Sequence, residues 1–188
     1  GPPPLNNNPP ANPHPFNELW GLHNTGQAVA NIYAGTIDAD IDAPEAWEFA
    51  ANNPPFGTTD CSAITIAVID TGVDLNHPEF TGRLVAGYDF VDLDDDPMDV
   101  DGHGTHVAGT IAAEGTSASG IAGVCWDAQI MPLRAFDAFG WGTDFDIAAA
   151  INHAVTNGAK IINASFGGYI DTNTMKQAVI AAGNADVL

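Results

Sequence analysis

Basic residues are almost missing from this chain: four Lys and Arg stand against 24 Asp and Glu, a formal charge of -20. Phosphate recognition needs clustered Lys and Arg, so nucleic acid and anionic membrane are excluded as partners. The acidic excess fits a soluble protein in salty or calcium-rich surroundings, and fits an ordinary solvated acidic surface equally well. Cysteine is scarce as well. Only Cys61 and Cys125 are present, and sequence cannot place their Cα atoms within bridging distance. A disulfide and two free thiols therefore both stay open. No apolar run reaches the roughly 18 residues of a membrane span, which excludes a transmembrane helix. Neither an initiating Met nor a signal peptide stands at the start. The opening Gly1-Pro2 is expected to be a cleavage scar or a processed end.

What is present is globular in composition. Hydrophobic residues make up 45% of the 188, and a chain of this size can bury about 70% of its unfolded surface. Residues 1–20 are rich in Pro and Asn and read as an N-terminal extension outside any core. Residues 21–188 read as one domain. In it, Ala43 to Phe49 predicts a short helix started by Pro44.

From residue 64 on, strand and helix signals alternate. Ile64 to Ile69 is a β-branched run of the kind buried on both faces of a parallel sheet. His106 to Ala113 has helical spacing. Ala128 to Arg134 reads as a strand that Pro132 demotes to an edge or a bulge. Asp144 to Asn157 predicts a helix capped by Asp144, striped by Ile147, Ile151 and Val155, and stopped by Gly158. Lys160 to Ser165 predicts a strand, Thr174 to about Ala185 a helix, and Val187-Leu188 the start of another strand. This order implies an α/β fold with a mostly parallel sheet, whose ligands sit at the carboxyl ends of the strands.

Two segments fall at such ends. Asp70 follows the first buried strand in Val68-Ile69-Asp70-Thr71-Gly72. His103 sits between Gly102 and Gly104 just before a helix, where glycines admit close backbone approach. Taken singly, each is adequately explained as a turn or surface residue. As a pair they have a chemistry: an Asp that accepts from one imidazole nitrogen fixes the tautomer, and the other nitrogen can then take a proton from a nucleophile.

The stretches IAVIDTGVDLNHPEF (66–80) and DGHGTHVAGTIAA (101–113) resemble, in the right order, the aspartate and histidine motifs of the subtilase family. NASFGG (163–168) resembles its substrate-holding edge segment. His106 favours the subtilisin and thermitase side over kexin-like members. The resemblance runs from about Phe16 to Leu188. It implies a subtilisin-like, three-layer fold with helices on both faces of the sheet, cut short after the early strands. It also implies a secreted, extracellular serine endopeptidase acting on peptide or protein substrates, with catalytic Asp70 and His103.

The resemblance carries further residues with it. Ser165, Phe166 and Gly167 match one wall of the peptide cleft; Gly140, Trp141 and Gly142 match the facing one, which would make a substrate an added strand. A turn around a buried Trp explains the second segment as well. Asp89, Asp92, Asp94 and Asp96 fall on the ligand positions of a thermitase-type calcium loop, with Met98 able to offer only its carbonyl; a solvated acidic loop is the alternative. The stronger family calcium site departs from pattern at Glu79, at Pro13 and in the loop from Glu114 to Ser119.

The nucleophile motif, GTSMAxP, does not occur in the 188 residues. Ala181-Ala182-Gly183-Asn184 spells the family's oxyanion motif, but it follows Ser165 too soon and falls in the last predicted helix. Asn184 is therefore not expected to line an oxyanion hole. The chain is expected to be a partial catalytic domain, inactive alone, with the remaining C-terminal part as a possible partner in trans. A non-catalytic calcium-binding or interaction fragment is the competing class. A dinucleotide-binding domain fails for want of G-x-G-x-x-G after the first strand.

Overall fold

The computed structural model describes residues 19, 21–29, 33–53, 60–115, 121–168 and 172–188. Pro13, most of the N-terminal extension and residues 116–119 of the second calcium loop lie outside them. The chain divides into two compact units: residues 1–61 with 110–127, and residues 62–109 with 128–188.

In the first unit a two-residue antiparallel pair, β1 (Ala28–Val29) with β2 (Tyr33–Ala34), precedes helix α1 (Ala43–Asn52). Pro44 sits in the first turn of α1, where its missing N–H loses no bond. Trp47 of α1 donates its indole N–H to the Val124 carbonyl at 2.9 Å and meets Trp126 edge to face. Cys61 and Cys125 form a disulfide with Cα atoms 6.3 Å apart, which closes the question that the sequence left open.

The second unit is built on a parallel sheet of order β4-β5-β3-β6, from β3 (Thr65–Asp70), β4 (Tyr88–Asp89), β5 (Gln129–Arg134) and β6 (Ile161–Asn163). β3 is paired on both sides and buried from Ile66 to Asp70, which is why its sequence is a continuous apolar run instead of an alternation. Ala67, Ile69, Met131 and Leu133 share one core with Ile147, Ala148, Ile151 and Ala154 of α3 (Asp144–Thr156) and Ala178 and Ala182 of α4 (Asn173–Asn184). The alternate residues Ile66, Val68 and Ile130 are buried too. Each such side chain contributes about 1.5–3 kcal/mol.

Pro132 needs a correction: β5 is an inner strand, between β4 and β3, and Pro132 lies within it opposite Val68 of β3. The ladder tolerates it because of direction. Ile130 donates its N–H to Arg83, and two residues on, Pro132 turns its donorless nitrogen to that same side. There the pairing is interrupted between the Leu84–Ile130 bridge and β4. Gly87 lets the backbones close up; a Cβ there would lie 2.0 Å from the Pro132 oxygen.

Three other expectations shift. The cap of α3 is Thr143, not Asp144: its hydroxyl accepts from the Asp146 N–H at 3.1 Å and donates to the Asp146 carboxylate at 2.6 Å. Helix α2 (His103–Ala112) starts at His103, three residues before the apolar spacing begins. β6 ends at Asn163, short of Ser165. The last strand signal does hold, since Leu188 donates to Lys160 and accepts from Ile162 along β6.

Candidate active site

Asp70 is the last residue of β3 and is 3% exposed, and its own carbonyl accepts from Ala135 and Phe136 beyond β5. The sheet thus holds the carboxylate at its carboxyl edge. Oδ1 accepts the Thr71 N–H at 2.8 Å and faces His103 Nδ1 at 2.7 Å. Oδ2 is buried with no hydrogen-bond partner among the described residues. His103 is the first residue of α2, and its side chain is 52% exposed. The hydrogen bond to Asp70, then the Asp70 charge, raise the imidazole pKa above its ordinary value; burial opposes them weakly. With Nδ1–H donated to Asp70, the neutral ring carries its lone pair on Nε2, the geometry of a general base.

Two glycines make this approach possible. A Cβ on Gly104 would lie 2.1 Å from the Gly72 oxygen and 3.0 Å from the Asp70 Cβ. Gly72 has φ +110°, and a Cβ there would meet the Pro97 carbonyl at 2.7 Å. The sequence reading missed Asp99. Although burial opposes its charge, hydrogen bonds from Thr105, Gly102 and Asp101 hold its carboxyl down to about 2.

The expected cleft walls take a different local form from paired strands. Asp137 gathers the first: its carboxylate accepts the N–H groups of Phe139 and Trp141, and its own N–H donates to the Trp141 carbonyl. Residues 137–141 are thus a closed turn, with Gly140 at φ +74° and Trp141 77% exposed, not buried. On the second wall Ser165 is exposed and donates to the Asn163 side chain at 2.7 Å. Phe166 packs on Phe136, ring centres 4.9 Å apart. Gly142 also abuts the Phe136 ring, where a Cβ would come within 2.8 Å. Phe136, invisible as a site residue in the sequence, thereby joins Gly142 to Phe166. Gly167 has open space around its Cα.

The acidic loop is organised around an arginine. Asp89 is 1% exposed; its Oδ1 accepts from the Val91 and Asp92 N–H groups, and its Oδ2 accepts from Arg134. Arg134 also donates to Asp92, at 2.5 Å. The Asp94 carboxylate accepts from the Asp96 N–H, and both residues are exposed. Among the described residues no group of three or more His, Cys, Asp or Glu is arranged to hold a metal. The four expected ligands do not form a shell as placed; Arg134 takes one carboxylate oxygen of buried Asp89 and one of exposed Asp92. Asn184 lies in the last turn of α4, as expected.

The profile of the subtilase family matches residues 62–187. The chain is 51% identical over 127 residues to a thermophilic serine proteinase of Bacillus sp. (strain AK1), covering 68% of this chain and 32% of that protein. It is 42% identical over 144 residues to thermitase of Thermoactinomyces vulgaris, covering 77% and 48%. Among solved structures, sphericase matches with TM-score 0.63 and 35% identity over 74% of this chain and 48% of that one. The chain belongs to the subtilase family, and its α/β sheet is the early part of a subtilisin-like fold. It spans half or less of the length of these relatives.

Proposed function

We propose that this chain carries the aspartate and histidine of a serine endopeptidase. The observation that carries the reading is the 2.7 Å contact of His103 Nδ1 with buried Asp70 at the carboxyl end of β3. In this reading His103 Nε2 removes the proton of a serine hydroxyl as its oxygen attacks the peptide carbonyl. The imidazolium, stabilised by Asp70, then protonates the leaving amine, and water releases the acyl group by the same relay. The 188 residues hold no serine in the nucleophile motif, and Ser165 is engaged with Asn163. In this reading the nucleophile and the oxyanion donor are supplied by sequence other than these 188 residues, in cis or in trans.

A peptide would lie between the turn at Gly140, Trp141 and Gly142 and the segment Ser165 to Gly167, both resting on Phe136. The Cys61–Cys125 disulfide supports secretion, since such bonds persist in oxidising compartments. Calcium has a place in the reading only if the exposed Asp94 and Asp96 turn toward Asp89 and Asp92, against the claim of Arg134 on those carboxylates. The binding-fragment alternative differs in one measurable respect: it needs no basic Nε2 at His103.

The test is hydrolysis of a peptide nitroanilide, by the 188-residue chain and by the chain joined to the C-terminal half of a subtilase catalytic domain. The chain alone should show no turnover. The joined protein should be active and lose about 10⁴-fold or more in kcat on His103→Ala. Activity indifferent to His103 would refute the reading. Turnover by the chain alone, lost in Ser165→Ala, would identify a nucleophile within it.

A further inference from the structure

We propose that Asp99 is the positioning residue that locks the loop bearing Asp70 to the helix start bearing His103. The inference rests on the reading of those two as a catalytic pair, and it adds the residue that sets their geometry. Asp99 Oδ1 accepts from the Thr71 hydroxyl at 2.8 Å, the Asp101 N–H at 3.0 Å and the Gly102 N–H at 2.9 Å. Its Oδ2 accepts from the Thr105 N–H at 2.9 Å and the Thr105 hydroxyl at 2.5 Å. Thr71 lies on the β3 side, directly after Asp70; the other donors flank His103 in the chain.

The hydroxyls extend the link in a fixed direction. Because Thr71 Oγ1 gives its hydrogen to Asp99, its lone pair is left for the Gly104 N–H, which donates to it at 3.0 Å. The Thr71 N–H meanwhile donates to Asp70 Oδ1, the oxygen that faces His103. Thr105 Oγ1 likewise donates to Asp99 and accepts from the Asp74 N–H at 2.8 Å. Backbone bonds join the same segments: Val73 donates to Pro97, and Asp99 donates to Val73. Among the described residues, every donor aimed at Asp99 thus comes from one of the two segments that must stay in register for Asp70 to meet Nδ1.

An amide cannot replace this carboxylate. Asparagine has one oxygen, so either two or three of the five accepted bonds are lost, and an NH₂ is set against other donors. Thr71→Val cuts the Asp99–Gly104 bridge while leaving every charge in place, and Thr71→Ser keeps the bridging hydroxyl. The charged groups that face His103 are Asp70, Asp101 and Asp99, and Thr71→Val alters none of them.

The experiment is an imidazole ¹⁵N NMR titration of His103 in the 188-residue chain, with a thermal melt of each variant. Asp99→Asn and Thr71→Val should both lower the His103 pKa toward its ordinary value and remove the deshielded Nδ1–H resonance. Thr71→Ser should keep both signals. The Asp99→Asn titration also contains the loss of the Asp99 charge itself, so Thr71→Val decides: a purely structural role would lower its melting temperature and leave its folded-state titration unchanged, and that result overturns the proposal. If Asp99→Asn does not fold, the comparison of Thr71→Val with Thr71→Ser decides alone. An ordinary wild-type His103 titration, unmoved by Asp70→Asn, would instead overturn the underlying pair and the proposal with it.

Discussion

Gly104→Ala sets two opposed effects against each other at one atom. Gly104 is the second residue of α2, and alanine is favoured over glycine in a helix by up to about 1 kcal/mol. The new methyl, however, would sit 2.1 Å from the backbone oxygen of Gly72 and 3.2 Å from Asp70 Oδ1. A carbon–oxygen contact needs a little over 3 Å, so α2 and the loop after β3 must separate by roughly 1 Å, and backbone cannot rotate aside as a flexible side chain does. Overpacking of this kind costs about 1–3 kcal/mol. The same movement stretches the Gly104 N–H bond to Thr71 and the His103–Asp70 contact, each worth about 1 kcal/mol or more. The clash outweighs the helix preference, and the net loss should be about 2 kcal/mol, or several degrees of melting temperature in a chain this size. Gly183→Ala is the matched control: it lies within α4 with nothing inside 4 Å of its Cβ position, and it should gain a few tenths to about 1 kcal/mol. Denaturant melts measure both, and His103 titration reports the site. A Gly104→Ala chain as stable as wild type, with an unchanged His103 pKa, would refute the packing argument and the closeness of the two motifs together.

Stability should carry opposite pH signatures from the two sides of the site. The raised His103 pKa contributes stability that is full below the unfolded value near 6.5 and fades as pH rises through the higher folded value; Asp70→Asn should flatten that slope in melts across neutral pH. Asp99, lowered from 3.8 to about 2, contributes above 3.8 and loses its share as pH falls toward 2, so acid unfolding should begin earlier once Thr105→Val removes a donor. At the acidic loop, Arg134→Gln leaves Asp89 buried and unpaired and should destabilise by about 3–5 kcal/mol in a denaturant melt. If Asp94 and Asp96 turn toward Asp89 and Asp92 to hold calcium, the ion should raise the wild-type melting temperature and Asp94→Asn should reduce that gain; identical melts in calcium and chelator would leave the loop with its Arg134 pairing and remove the cofactor from the reading.

How much of this was legible in the sequence differs residue by residue, and the reason is locality. β3 announced itself because a strand buried on both faces needs an unbroken apolar run, and Asp70 stood out as the charge that ends it. His103 showed through its flanking glycines, of which Gly104 marks a close approach and Gly102, with open space around it, a positive φ. Asn184 could be placed in the last helix from helical spacing alone. Wherever a neighbour distant in sequence decides the outcome, the string was silent. Pro132 was demoted because its missing donor is a local fact, while the gap in the ladder that receives it is set by the path of residues 83 to 88. The acidic loop invited a metal because its charges are consecutive; the guanidinium that meets two of them comes from β5, more than 40 residues away. Asp99 passed as one more acid in an acidic chain, since a carboxylate's hydrogen bonds to Thr71, 28 residues back, exist only when the sheet edge and the start of α2 are folded together. Composition and period therefore determined the longer strands and helices and the sheet edge at which Asp70 stands, while the two-residue strands β1, β2 and β4 carried no such signal. Tertiary structure alone decided which charges are paired, because pairing depends on distances between segments that the chain order does not encode.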